Sequence, residues 1–346
     1  MPCIDVHTHF FPAELPDLAP RRGDSRWPSL VIDGDGRGCI MRGGDVFRPV
    51  ASTCWDIEAR REAMAASKVD VQVLSPVPVT LAYWGDDDLA LEFCRRQNDL
   101  LAEAVALDPT RFMALGGVPL QVVDAAIAEL DRLVNDLGLS GVEIGTEVAG
   151  KELDDLALRP FFAAAQDLDV SLFVHPTYGG GAIRRRGVPY EFGLGMLTDT
   201  AMAAAALVFG GVLEAFPRLR VGLAHGCGTF AWSVPRLVNG ASLMPNARSR
   251  ATVDELVKLL WVDTLVFDPT HLPLLFERFG PDHVMLGSDF PFYPPAWGGA
   301  TAVLDDGVTA GTCTAAQVDD IVGANGWRFL GPHTPALDPS RRRNHG

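Results

Sequence analysis

Several catalytic signatures are missing from this chain of 346 residues. No G-x-S-x-G occurs, which disfavours a serine hydrolase built on a strand-to-helix nucleophile elbow. No G-x-G-x-x-G follows a strand, which disfavours nicotinamide dependence. Gly179-Gly180-Gly181 lacks the G-K-[ST] ending of a phosphate-cradling loop and opens no clear helix, so it reads as a mobile substrate loop. The six cysteines (Cys3, Cys39, Cys54, Cys94, Cys227 and Cys313) are scattered and form no C-x-x-C pair. That pattern suits reduced thiols in a cytoplasmic protein. No apolar segment precedes His7, so no secretory leader is expected. The most apolar stretch, Ala201 to Leu213, is too short for a bilayer and is expected as a buried helix. Positive charge is scarce as well: 29 Lys+Arg against 44 Asp+Glu leave a formal charge of -15. This argues against nucleic acid or an anionic membrane as the main partner. A small anionic substrate stays open, because a few local arginines dominate a pocket.

What is present is a series of eight short apolar runs, each closed by a polar or Gly/Pro signal. They are Cys3–His9, Val69–Pro76, Phe112–Pro119, Gly141–Thr146, Val170–Pro176, Arg220–Gly226, Trp261–Val266 and His283–Phe290. Helical patterns separate most of them. Val122 to Leu137 carries Ile127, Leu130, Val134 and Leu137 at spacings of three and four, with Gly138 as C-cap. Thr198–Phe216, Asp254–Leu260 and Leu272–Phe279 predict further helices. Near-continuous apolar strands alternating with helices predict a parallel sheet covered on its outer face. Eight such units predict a closed (β/α)8 TIM barrel, a fold of about 250 residues. The surplus sits in insertions. Residues 13–55 place Leu30-Val31-Ile32 and Cys39-Ile40-Met41 around Asp33-Gly34-Asp35-Gly36, a small hairpin or sheet inserted after strand one. Pro291–Thr314 reads as irregular, and the polar, basic tail from Pro332 to Gly346 as disordered. The barrel domain is thus residues 1–331 and the tail 332–346.

The strand ends carry the chemistry, because a barrel's active site lies at the C-terminal ends of its strands. His7 and His9 end strand one on one face, since strand side chains alternate. His175 ends strand five, His225 strand six and Asp289 strand eight. Three or four imidazoles with one carboxylate suit Zn²⁺, with Mn²⁺, Fe²⁺ or Co²⁺ as alternatives. His7, His9, His175 and Asp289 are the expected ligands, and His225 the acid/base partner. Asp289 is expected to serve catalysis too. Strand four ends without a lysine that could bridge two metals. Glu143 is the one substitute there, so a mononuclear site is expected. His271 and His283 read as structural, and His333 and His345 as part of the tail.

These residues sit in stretches with a familiar pattern: IDVHTHFFP at 4–12, FRPV at 47–50 followed by CWD, VDVQVLSPVPV at 69–79, AYW at 82–84, LGGVPLQ at 115–121, SLFVHP at 171–176, AHGCGTF at 224–230 and MLGSDFPF at 285–292. In combination they resemble the amidohydrolase superfamily and, within it, the 2-amino-3-carboxymuconate-6-semialdehyde decarboxylase family, over roughly residues 2–330. The resemblance implies zinc on His7, His9, His175 and Asp289, with His225 helping a metal-bound water act as acid/base. It implies that Arg48 holds a substrate carboxylate and that Arg236 is a second such arginine, supplied by the neighbouring subunit of a homodimer. Arg42 stands where a lysine is common. Trp84 and Phe292 fall in matching stretches and are expected to touch substrate. No organic cofactor is implied. The loop after His175 departs from the pattern: Thr177 replaces an aromatic residue, and Tyr178, three glycines and Arg184-Arg185-Arg186 follow. Thr80 replaces a common Met. These departures touch the substrate pocket and leave the metal ligands intact.

The leading expectation is non-oxidative decarboxylation of a small unsaturated or aromatic carboxylic acid, first of all aminocarboxymuconate semialdehyde. A hydroxybenzoate of the salicylate or resorcylate type is the alternative substrate. A hydrolase or hydratase of a ring or enol acid, and a metal-binding barrel without activity, are the readings from other classes.

Overall fold

Among the described residues thirteen strands form, most of them from the apolar runs. They are β1 (Ile4–Phe10), β2 (Ser29–Ile32), β3 (Arg37–Arg42), β4 (Asp45–Ala51), β5 (Val71–Pro76), β6 (Phe112–Gly116), β7 (Gly141–Gly145), β8 (Glu147–Val148), β9 (Lys151–Glu152), β10 (Ser171–His175), β11 (Arg220–Leu223), β12 (Leu260–Asp263) and β13 (Val284–Met285). The computed structural model describes residues 1–177, 181, 183–245, 248–293 and 299–334, with all their side chains except that of Arg22. Residues 178–180 of the glycine loop and the tail beyond Thr334, His345 included, lie outside the described residues.

One sheet runs β1-β5-β6-β7-β10-β11-β12-β13, and its paired strands are parallel. The segment after β13 closes the ring onto β1. Val6 N donates to Leu286 O at 3.0 Å, Asp289 N to His7 O at 2.8 Å and His9 N to Phe290 O at 2.7 Å. The predicted (β/α)8 barrel is therefore the fold. Strand eight is regular only over Val284–Met285, because Gly287 and Asp289 must turn inward beside β1. Register sets the strand ends at one level: His9 lies opposite Ser75, and His175 opposite Gly145.

Two apolar layers hold this frame. Ile4, Val6, Val73, Phe173, Met285 and Trp327 form a cluster that includes the middle of β1, next to the His7 ring. A larger cluster joins the strands to the outer helices, as when helix Val123–Asn135 buries Ala126, Leu130, Leu133 and Val134. Each leucine or valine among them contributes roughly 1.5–3 kcal/mol when fully buried. The insertion is a three-stranded antiparallel sheet, β2-β3-β4, and not a lone hairpin. Its third strand was not foreseen, and it is the strand that carries Arg48.

Other expectations shift. The predicted helix Thr198–Phe216 divides into Met196–Phe209 and Val212–Ala215, because Gly211 turns at φ 80°. With the turn before it, the first piece makes a continuous helix of 19 residues, Glu191–Phe209, long and apolar enough by length and composition to cross a membrane. Here it covers the barrel, burying Ala203, Ala204, Leu207 and Val208. The helix expected at Asp254–Leu260 runs Arg250–Val257 instead, and Leu260 starts β12. Pro291–Thr314, read as irregular, contains the helix Ala302–Ala310. The tail begins later than expected: His333 Nε2 lies 2.7 Å from Leu168 O, and Ser140 Oγ donates to His333 O. His283 stacks on Trp261 with ring centroids 4.1 Å apart, the structural role expected of it.

Candidate active site

Each ligand histidine uses one ring nitrogen to anchor itself. His7 Nδ1 faces Asp263 Oδ2 at 2.7 Å, His9 Nδ1 faces Pro76 O at 2.8 Å, and His175 Nδ1 faces Pro176 O at 2.8 Å. All three partners accept hydrogen bonds only, so each Nδ1 carries the proton and each Nε2 keeps a lone pair. The three Nε2 atoms and Asp289 Oδ1 are buried without a hydrogen-bond partner. Ligand atoms of the four residues lie within 4.8 Å of one another. His9 Nε2 is 2.9 Å and His7 Nε2 3.5 Å from Asp289 Oδ1. Four lone-pair donors turned on one point repel each other unless a cation lies between them. Three imidazoles and a carboxylate therefore fit a divalent metal of the Zn²⁺ or Mn²⁺ type.

Burial pushes His9 and His175 below the usual imidazole value, whereas at His7 burial is outweighed by the Asp263 and Asp289 carboxylates, which hold that ring above it. Burial alone would raise Asp289, but the facing His225 and His9 outweigh it and hold the carboxyl well below its usual range. The described residues hold one such ligand group. Glu143 is fully buried beside the ligand set, with Oε2 3.6 Å from His9 Nδ1, the anchored side of that ring. Burial, aided by the Asp289 charge, pushes its carboxyl well above the usual range.

His225 stands at the edge of the cluster. Its ring centroid is 5.0 Å from that of His175, and its Nε2 is 3.9 Å from Asp289 Oδ2. Both ring nitrogens lack partners. Its backbone sits at φ 59°, followed by Cys227 at 67°, and Asp289 is at 56°. Left-handed backbone at non-glycine residues costs of order 1–3 kcal/mol each and persists only where the surroundings impose it. Asp263 imposes it at His225. Its Oδ2 accepts from His225 N at 2.9 Å, and its Oδ1 from Gly226 N at 2.8 Å and Leu265 N at 3.0 Å.

Sequence reasoning missed Asp263, which lies inside the seventh apolar run and ends β12. It also missed Arg60, fully buried on helix Ile57–Ser67. Arg60 donates to Thr8 Oγ1 at 3.1 Å, to Gln72 Oε1 at 3.3 Å and to His9 O. Burial pushes its guanidinium down to about 10. A signal existed: the spacing Ile57–Arg60–Met64 puts Arg60 on the buried helix face. Asp5 is a third, accepting from Ser288 Oγ at 2.5 Å and pinning the segment that carries Asp289.

The arginines divide. Arg48 lies over the Phe292 ring at 4.4 Å, and Phe292 stacks on His9 at 5.4 Å. Arg48 is thus one ring away from the ligand set. Arg42, Arg48, Phe292 and Tyr293 line an open cleft of about 1300 Å³. His225 lines a neighbouring, mostly apolar cavity of about 460 Å³. His271, read as structural, is exposed at the rim of that cavity. Arg236 is exposed on helix Phe230–Ala241 and does not join the cluster within the chain. Trp84 packs on Trp27 at 5.1 Å beneath Arg26 and lines none of the cavities described.

Residues 4–331 match the family described as amidohydrolase. The 2-amino-3-carboxymuconate-6-semialdehyde decarboxylase of Dictyostelium discoideum is 34% identical over 98% of this chain and 92% of its own. The gamma-resorcylate decarboxylase of Rhizobium radiobacter is 29% identical over 81% of this chain and 92% of its own. Among solved structures, IDCase of Metarhizium anisopliae superposes with a TM-score of 0.78 at 22% identity, covering 95% of this chain and 97% of that one. A 5-carboxyvanillate decarboxylase from Novosphingobium aromaticivorans, complexed with manganese and a nitrobenzoic acid, superposes with a TM-score of 0.73 at 20% identity, covering 95% and 96%.

Proposed function

Since this chain belongs to the amidohydrolase family, we propose that it decarboxylates 2-amino-3-carboxymuconate-6-semialdehyde, without oxidation, at the site built from His7, His9, His175, His225 and Asp289. The single observation that carries the reading is the Arg48–Phe292–His9 stack. It sets a carboxylate-binding cation beside a metal-type ligand set, with His225 across from it.

The chain's own residues account for the steps. Arg48, with Arg42 in the same cleft, binds and aligns a substrate carboxylate, and bidentate contact fixes the plane of the scissile bond. As the C–CO2 bond breaks, its electron pair stays on the substrate carbon. His225 Nε2, facing the ligand set, delivers the proton that takes the place of CO2. The apolar walls around His225 keep bulk water from that carbon. His7, His9, His175 and Asp289 would hold the cation, which when bound supplies Lewis acidity to the acid beside it. Zn²⁺ is the metal we assign, with Mn²⁺ as alternative because the vanillate relative holds it. We place the protein in the cytoplasm.

Zinc-loaded protein given freshly generated aminocarboxymuconate semialdehyde is expected to consume it with stoichiometric CO2 release. Absence of decay by a metal-loaded protein overturns this substrate. The second reading, a hydroxybenzoate of the resorcylate type, is favoured by Thr177, which stands beside Gly145 in place of an aromatic residue. A substrate panel with CO2 detection separates the two.

We assign a homodimer in which Arg236 enters the neighbour's site. Its support is the exposed helix face that Arg236 shares with Trp232, a side chain 81% exposed. The test mixes two inactive variants, H225A and R236A. In a mixed dimer one site has its own His225 and the partner's Arg236, so random assortment is expected to restore roughly a quarter of the sites. No recovery on mixing overturns the shared site.

A further inference from the structure

Tyr293 is the residue at which the cavities of this molecule meet. It lines the cleft of Arg42 and Arg48, the His225 cavity, and a third cavity of about 430 Å³ that runs from Ser288 past Gln72 to helix Ala302–Ala310. Among the described residues no other lines all three. Its ring is braced on two sides, by Phe267 at 5.1 Å and Phe192 at 5.9 Å, and those two rings lie 6.3 Å apart. Edge-on aromatic contacts of this kind hold a ring in one orientation.

The sequence places this side chain close to the chemistry for a local reason. Asp289 turns inward, Phe292 follows it to stack on His9, and Tyr293 comes next on the same turn. A substrate held by Arg48 and protonated by His225 must lie across the Tyr293 ring, because that ring faces both cavities. Among the described residues, the lining of the space behind the ring carries the carboxylates Asp5 and Asp306 and no cation to hold a small acid. We propose that Tyr293 is a specificity-determining residue that sets the upper size of acid the site accepts, by walling off the cavity behind it. The inference rests on the reading of the site as one for a small carboxylic acid.

The test is a binding measurement and does not depend on turnover. Zinc-loaded wild type, Y293F, Y293A and F267A are titrated calorimetrically with salicylate and with the larger 1-hydroxy-2-naphthoate. Metal content and melting temperature confirm that each variant is folded. Wild type is expected to prefer salicylate. Y293A is expected to move the ratio of the two affinities toward the naphthoate by about tenfold or more, the scale on which pocket volume discriminates. F267A, which removes one brace, should move it the same way by less. Y293F keeps the ring and should stay near wild type. An unchanged ratio in both Y293A and F267A overturns the proposal. Wild-type protein that binds neither acid overturns the size limit as stated for hydroxybenzoates, while the decarboxylase reading stands or falls separately by CO2 release from aminocarboxymuconate semialdehyde.

Discussion

Replacing His225 with alanine leaves the metal bound and removes turnover. The ligand set does not use His225: the four converging donors belong to His7, His9, His175 and Asp289. The His225 ring touches that set only from its edge, with Nε2 3.9 Å from Asp289 Oδ2. Neither ring nitrogen makes a close hydrogen bond, so what is lost with the side chain is its 3.9 Å approach to Asp289. The left-handed backbone at this position is held through the main-chain N–H, which alanine retains. A positioned acid contributes typically 10²–10⁴-fold to a proton transfer, so kcat is expected to fall by about that factor. Metal analysis of the purified variant, run beside the CO2 assay, checks both halves. A variant that keeps most of its kcat removes His225 from the reaction. A variant that loses its metal makes His225 part of the ligand set.

Asp263→Asn is expected to damage the metal site and the acid together. Asp263 is fully buried and accepts four hydrogen bonds: from His7 Nδ1, His225 N, Gly226 N and Leu265 N. Burial works against its charge, yet the His7 hydrogen bond outweighs it and holds the carboxyl below its usual range. An asparagine of the same shape offers one oxygen and one NH2. Either face it turns leaves N–H groups pointing at N–H groups. If the amide nitrogen meets His7, the ring has no reason to keep its proton on Nδ1, and the Nε2 lone pair is no longer guaranteed. If it meets Gly226 and Leu265, the strained turn that carries His225 loosens. Removal of such a supporting group typically costs 10–100-fold in metal affinity or activity. Chelator competition should therefore show weaker metal binding, and kcat at saturating metal should still be below wild type. Full recovery of kcat by added metal would confine Asp263 to holding His7. No change in either quantity would remove it from the site.

How much of this was legible beforehand depends on the range of each interaction. The barrel was readable because its signals are local: the first seven barrel strands are mostly apolar runs of four to seven residues, and the helices between them repeat at three and four. The ligand set was readable for a related reason. His7, His9, His175, His225 and Asp289 each end such a run, and closing a barrel brings strand ends to one rim whatever lies between. The third strand of the insertion, β4, carries Asp45, Arg48 and Pro49 among its apolar residues, so it has no clean alternation to read. The helix Ala302–Ala310 hid because Gly307 and two neighbouring aspartates break its apolar stripe.

Composition and periodicity by themselves determined a parallel α/β barrel, an anion-poor partner range and a histidine-rich rim. Only the tertiary structure decided how that rim works. The His7–Asp263 contact spans 256 residues, and the bond from Ser288 to Asp5 spans 283. Arg60 has a local signal for burial but none for its acceptors, which lie on β1 and β5. Tyr293 looks like any loop aromatic until Phe192 and Phe267, far away in sequence, close around it. Local pattern reports which face of an element is buried, whereas hydrogen-bond partners and cavity walls depend on where several distant elements come to rest. The ligands of this site obey the first rule, and the residues that orient them and bound its pocket obey the second.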